Sequence, residues 1–210
     1  MYYFQRQWAI EELSRSILKN PVKIEVTPES STIEKIKQSV LLVEEDNKLF
    51  LLSSLLEDES KKSVLIFCKA KYGVANVVKH LTMANVNVGE IHSNKNQSER
   101  EEALEKFSKG EIRVLVATDI AARGIDVSNV SHVINFNMPE DATNYVHRIG
   151  RTARAGRDGI AISLCGEKDI PLLRNVQKLI KIKLPIVANH PFHKEFELEK
   201  PKKASKKRRR

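Results

Sequence analysis

At 210 residues, 41% hydrophobic and only 6% aromatic, the chain is long enough for one domain with an aliphatic core and short appendages. Its formal net charge of +9 is local: residues 200–210 hold eight Lys or Arg and no acid, leaving 28 basic against 27 acidic residues elsewhere. A nearly neutral body excludes binding by bulk charge, so any anion site on it must come from local clustering. Cys68 and Cys165 stand alone in apolar runs, which excludes a disulfide framework or a cysteine metal site and points to a reducing compartment. No stretch approaches the ~20 apolar residues of a membrane span, and the N-terminus carries no signal pattern. A soluble, cytoplasmic protein with no membrane contact is expected.

In chain order, short Val- and Ile-rich runs alternate with longer helical ones. Strands are predicted at Ile36–Val43, Ser63–Cys68, Val86–His92, Arg113–Thr118, His132–Asn137 and Gly159–Cys165. Helices are predicted at Asn47–Glu57, Lys71–Ala84, Ser98–Lys109, Ala142–Ile149 and Glu167–Ile180. Asn96 and Glu99 have capping-box spacing for the third helix, and Ala103, Leu104 and Phe107 form its apolar stripe. The alternation predicts a doubly wound, mostly parallel α/β sheet flanked by helices. Such sheets bind ligands at the carboxyl ends of their strands, so the polar residues after each apolar run are the candidates. From Lys200 the Lys/Arg-dense tail is expected to be disordered.

Three segments fit that rule. In Val114–Val127 an apolar strand ends at Thr118 and Asp119, followed by Arg123, Gly124 and Asp126. A hydroxyl, a guanidinium and an open glycine N–H suit phosphate oxygens, and a carboxylate suits ribose hydroxyls. Equally, Thr118 and Asp119 could cap a short helix while Arg123 pairs with Asp126. In Tyr145–Gly156, Arg148, Arg151 and Arg154 recur every third residue beside His147, with no acid among them. Forked cations with glycine punctuation fit a polyanion such as a triphosphate. The alternative is a solvated basic helix end favoured by the helix dipole. In His92–Arg100 a strand leads into a helix N-terminus, with Gln97 and Arg100 three apart and able to face a phosphate. Capping alone explains Asn96 and Glu99 there. His80, His190 and His193 have no evident ligand partners, and His132 reads as a strand residue.

The sequence also lacks something. None of its eight glycines is followed by Lys, so it has no Walker-type phosphate loop, and no Asp-Glu-x-Asp box follows a strand. Arginines that can reach a triphosphate, without a cradle to hold one, describe half of a two-lobed site.

Ser63–Cys68, His92–Arg100, Val114–Val127 and Tyr145–Gly156 resemble, in order and spacing, motifs IV, IVa, V and VI of the DEAD-box ATP-dependent RNA helicases. The string His147–Arg154 is the most specific part, and the basic tail is similar to that of the bacterial RhlE-type branch. The resemblance implies a RecA-like second lobe over residues 31–184. A remnant of the first lobe and linker would occupy 1–30, with residues 9–26 as its last helix and exit strand. A C-terminal extension would occupy 185–210. It further implies that His147, Arg151 and Arg154 serve catalysis, the two arginines as fingers on the γ-phosphate. Asp126 would bond the ATP ribose together with those arginines at the nucleotide. Gln97, Arg100, Thr118, Arg123 and Gly124 would touch the RNA backbone.

The implied cofactor is ATP with Mg²⁺ held mainly by a first lobe, and the implied partners are RNA and that lobe, in a monomeric protein. By itself the chain is expected to be inactive as an ATPase, while its tail binds RNA weakly by counterion release. Other readings are a standalone RNA-binding module or a regulatory fragment docking on a helicase. Three departures from the family stand out. Ala70 replaces a common Thr, which puts one RNA contact in doubt. Ser93 and Ala153 each replace a common Gly.

Overall fold

The computed structural model describes residues 16–18, 35–122, 127, 130–153 and 158–198. The expected first-lobe remnant lies almost wholly outside these residues, as do Arg123, Gly124, Asp126, Arg154 and the basic tail.

Six strands form one sheet: β1 (Ile36–Leu42), β2 (Val64–Cys68), β3 (Val88–Ile91), β4 (Val114–Thr118), β5 (His132–Asn135) and β6 (Gly159–Cys165). The order is β1-β6-β5-β2-β4-β3, and every pairing is parallel. The prediction of a mostly parallel sheet becomes, among the described strands, a wholly parallel one. The helices are α1 (Lys48–Leu56), α2 (Lys71–Met83), α3 (Gln97–Ser108), α4 (Asp119–Ala122), α5 (Ala142–Ile149) and α6 (Ile170–Ile180). One-turn 3₁₀ segments at Glu45–Asn47 and Glu167–Asp169 lead into α1 and α6. The strands and helices predicted between residues 36 and 180 are present within a residue or two of their expected ends, except that the α-helix expected from Glu167 starts at Ile170, its first turn being 3₁₀. The helix α4, weighed from the sequence only as an alternative for the segment after β4, is a single turn, too short to show a period.

Side-chain alternation explains the layering. Val64, Ile66 and Cys68 of β2 point to one face, where Leu51, Leu52 and Leu56 of α1 and Val74, Val77 and Leu81 of α2 close the core. Leu65 and Phe67 point to the other face, toward Phe107, Ala103 and Leu104 of α3. Further along that second face, α5 and α6 bury Tyr145, Ile149, Leu173 and Val176 against Val40, Leu42 and Ala161. Each such fully buried aliphatic side chain contributes roughly 1.5–3 kcal/mol. Helix α3 opens with the expected capping box, Glu99 N–H donating to Asn96 Oδ1 and Asn96 N–H to Glu99 Oε2, both at 2.9 Å. The thiols of Cys68 and Cys165 are buried, and burial pushes both up to about 12, as suits small core residues.

Beyond α6 the chain turns at Lys181 (φ 58) and runs along the outer edge of β1. Val40 N–H donates to Pro185 O, Val187 N–H to Val40 O, and Lys194 N–H to Leu42 O. Phe192 packs on the α1–α2 face while Phe196 and Leu198 pack on the α5–α6 face. Residues 185–198 thus cover a sheet edge that would otherwise present unpaired backbone groups.

A buried cation joins the starts of α1 and α6. Lys48 Nζ, with its side chain 0% exposed, lies 2.8 Å from Asp169 Oδ2 and 2.8 Å from Glu45 Oε2. A buried ammonium is tolerated only when paired. Asp169→Ala is expected to destabilise the fold by roughly 2–3 kcal/mol, whereas Lys48→Met, which removes the charge, costs less. Urea midpoints at unchanged slope measure both.

Candidate functional site

Parallel register brings the polar residues that follow the strands together. Cys68 lies opposite Thr118, Phe67 opposite Asn135, and Ile91 opposite Ala117. Residues 69–71, 92–96, 119–122 and 136–140 therefore meet along one edge of the sheet, where doubly wound folds bind ligands. A groove of about 600 Å³ opens there, lined by Lys69, Lys71, Ser93, Arg100, Thr118 and Glu140 among others. Four cations of the lining, Lys69, Lys71, Arg100 and Arg148, face two carboxylates, Asp119 and Glu140. On a nearly neutral body, this leaves the groove with a local excess of positive charge, of the kind that suits an anion. Lys69 Nζ lies 2.7 Å from Glu140 Oε1, and Lys71 Nζ donates to Asn94 Oδ1 at 3.2 Å. Arg100 reaches the groove from the first turn of α3, and its Nη2 donates to Ala121 O at 2.9 Å.

Thr118 ends β4 and lines the groove; its Oγ1 accepts from Ala121 N–H at 3.4 Å. The short capped helix weighed as an alternative for this segment is thus present, as α4. The Arg123–Asp126 pairing that went with it falls outside the described residues.

The main finding concerns Arg148. It is 2% exposed, and its guanidinium forks onto the Asp119 carboxylate, Nε to Oδ1 at 2.6 Å and Nη2 to Oδ2 at 2.8 Å. Nη1 donates to Asn135 Oδ1 at 3.0 Å and to Asn137 O at 2.8 Å. The guanidinium carbon stands 5.1 Å from the Phe67 ring centroid. Of the three arginines whose spacing fits a polyanion, Arg148 is thus taken up by partners within the fold. The segment holds no acid of its own, but α4 brings Asp119 to it from 29 residues away.

A smaller crevice shares Asp119, Asn144 and Arg148 with the groove and adds His147 and Arg151. The backbone places Arg151 firmly. Gly150 caps α5, Arg151 N–H donates to Arg148 O, and Arg151 O accepts from Val130 N–H. Next to it, Thr152 is wholly buried and its Oγ1 donates to Val130 O. A Cβ at Gly159 would collide with the Thr152 side chain and lie 2.7 Å from Ala153 N, so β6 must start with glycine. Ala153 has φ 54, a left-handed conformation that glycine adopts without cost.

Of the predicted site residues, the structure brings Thr118 and Arg100 into the groove and His147 and Arg151 into the crevice. Gln97 is not in the groove lining; its Nε2 donates to Glu101 Oε1 at 2.7 Å on the exposed face of α3. Lys69 and Lys71 were missed, although the rule applied after β4 finds them directly after β2. His80 bonds Ser53 Oγ at 2.9 Å, and burial, with Lys61 nearby, holds the strand residue His132 below its ordinary value. No group of three or more His, Cys, Asp or Glu among the described residues could hold a metal ion. Nor is any helix among them long and apolar enough to cross a membrane.

Two stability outcomes follow from this geometry. Asp119→Ala strands a buried guanidinium and is expected to cost about 3 kcal/mol by chemical denaturation. Ala153→Gly relieves the left-handed backbone and is expected to raise stability by about 0.5–1 kcal/mol. A loss of stability on that change would show that Ala153 is unstrained.

Comparison with known proteins places this geometry. Residues 47–156 match the helicase conserved C-terminal domain. The chain is 37% identical over 179 residues to the ATP-dependent RNA helicase RhlB of Shewanella amazonensis, covering 85% of this chain and 41% of that protein. It is 38% identical over 192 residues to the ATP-dependent RNA helicase DbpA of Bacillus subtilis, covering 91% and 40%. The chain therefore spans about two fifths of these relatives. Among solved structures, E. coli SrmB bound to regulator of ribonuclease activity A superposes with a TM-score of 0.65 at 39% identity, covering 71% of this chain and 87% of that one. A DEAD box protein from Methanococcus jannaschii gives 0.70 at 32%, covering 85% and 48%. Saccharomyces cerevisiae Dbp5 bound to RNA and ADP BeF3 gives 0.74 at 29%, covering 85% and 48%. The narrower RhlE-type placing rests on the sequence alone. With a doubly wound sheet, wholly parallel among the described strands, and Arg148 and Arg151 at its carboxyl edge, the chain belongs to the helicase conserved C-terminal domain family, as the RecA-like C-terminal lobe of the DEAD-box type.

Proposed function

We propose that this lobe, spanning residues 31–184, works in the cytoplasm as half of an ATP-dependent RNA helicase, closing on a first lobe over ATP and RNA. The observation that carries the reading is the meeting of two anion-directed surfaces at one wall. A cationic groove and an arginine-bearing crevice share Asp119 and Arg148, on a chain without any phosphate loop.

On this reading His147, Arg151 and Arg154 face the nucleotide, and the two guanidiniums meet charge developing on the transferred phosphoryl group. Asp126 accepts from the ribose. Arg100, Thr118, Arg123 and Gly124, with Gln97 beside them, bind the RNA sugar–phosphate backbone, which gives little base specificity. Lys69 and Lys71 extend that binding surface. Mg²⁺ needs oxygen ligands that the described residues do not group together. On this reading the first lobe would hold most of the ion's ligands, together with the triphosphate. Closure would exclude water and complete the site; reopening would release products and RNA.

The test supplies a first lobe, fused or in trans, and measures ATPase rate against RNA concentration; this chain by itself serves as the inactive control. Arg151→Ala is expected to lower kcat by ~10³–10⁵, with RNA affinity in the absence of nucleotide little changed. Arg100→Ala is expected to raise the RNA concentration for half-stimulation and to lower the salt slope of RNA binding by about one. Equal losses of kcat from both substitutions, with unchanged RNA dependence, would refute the division into two edges. Turnover by this chain alone, abolished by Arg151→Ala, would refute the two-lobe reading.

A further inference from the structure

Tyr72 is the second residue of α2 and is 77% exposed, although α2 packs Val74, Val77 and Leu81 into the core on its opposite face. Its ring is not part of that packing. It stands at the rim of the groove, because Lys71, which lines the groove, holds its Nζ 5.2 Å from the Tyr72 ring centroid. The same Nζ donates to Asn94 Oδ1, so the cation sits between the aromatic ring and the loop after β3. Beside it, Ala70 lines the groove without a polar side-chain atom to offer a phosphate, and α2 has no side-chain N-cap bond. This wall therefore presents a cation and an open aromatic face side by side.

In a nucleotide the base hangs from the sugar next to the phosphate. A cation for the phosphate, adjacent to an aromatic face for the base, engages a single nucleotide in both ways. We infer that Tyr72 is a stacking platform for one unpaired base of an RNA strand whose backbone lies in the groove, with Lys71 on the neighbouring phosphate. The inference rests on the proposed RNA-binding reading and adds to it a base contact, which backbone binding alone does not supply. Stacking is tolerant of sequence, since every base has an aromatic face. It discriminates against a strand without bases and favours purines, whose larger rings overlap the phenol more fully.

The test uses the full chain and two strands of about ten nucleotides, oligoadenylate and an abasic ribose–phosphate strand of equal length. The basic tail contributes to both and cancels in their comparison. With tyrosine rings isotopically labelled and Tyr72 assigned by Tyr72→Phe, the Tyr72 ring signals are expected to move upfield on adding oligoadenylate and to stay in place with the abasic strand. Tyr72→Ala is expected to weaken oligoadenylate binding about fivefold and to leave abasic binding unchanged, while Tyr72→Trp retains the affinity. Equal weakening of both strands by Tyr72→Ala would mean that the ring only positions Lys71, and would overturn the inference. So would an oligoadenylate affinity that Tyr72→Ala leaves unchanged. If the unmodified chain binds neither strand, the RNA-binding reading itself fails, and this inference falls with it.

Discussion

The fork of Arg148 on Asp119 is the interaction on which the functional edge depends. A guanidinium that is 2% exposed has lost its hydration, and that loss is offset only because four of its five N–H groups find acceptors. Those acceptors come from α4 and from the end of β5, while the ring beneath it, Phe67, belongs to β2. One side chain from α5 thereby ties three strand ends together. The same side chain is a wall of both the groove and the crevice. Neither cavity can change shape at that wall without moving the other or breaking a buried pair, because there is no intermediate arrangement in which the charge is half-satisfied. For a lobe proposed to sense RNA on one side and ATP on the other, that is the geometry coupling requires.

Much of this architecture could be read from the sequence, for a simple reason. Strands buried on both faces are nearly unbroken apolar runs, as β2 and β4 are, and as β6 is apart from Ser163. The start of α3 was legible because a capping box is a local pattern, four residues long. What escaped were partners far apart in the chain. Asp119 and Arg148 are 29 residues apart, and Lys48 and Asp169 are 121 apart. Scanning the arginine segment for acids finds none, yet the topology returns one to it. The path of residues 185–198 along β1 was hidden for a related reason: its backbone bonds depend on which edge the sheet leaves open, and the order of strands is not written in any one strand.

Departures from the family motif become physical once the backbone is known. Ala153 occupies a left-handed position, the kind of place where the glycine expected from the family resemblance would be unstrained. Alanine is tolerated because its methyl is small and 7% exposed, packed in the α5–α6 cluster rather than against a charge. At the opposite wall, Ala70 removes a hydroxyl from the groove, but its neighbours Lys69 and Lys71 restore cations to the same spot. A substitution at one ligand position is therefore not a loss of the site. It shifts the site from a directional hydrogen bond toward less directional charge.

That shift matters for how a split site can work. A lobe carrying its own phosphate cradle would bind a triphosphate whether or not its partner were present, and closure would gain little from the nucleotide. Here the sequence contains no such cradle, while the cationic groove and the arginine-bearing crevice share one wall. Charges of that kind attract a polyanion weakly in open solvent, where water screens them, and strongly once a second surface excludes that water. On the two-lobe reading proposed above, the free energy of the arginines would be realised on closure rather than on encounter. A ligand shifts a conformational equilibrium only by its differential affinity for the two states. On that same reading, a lobe without a cradle of its own would make that difference large.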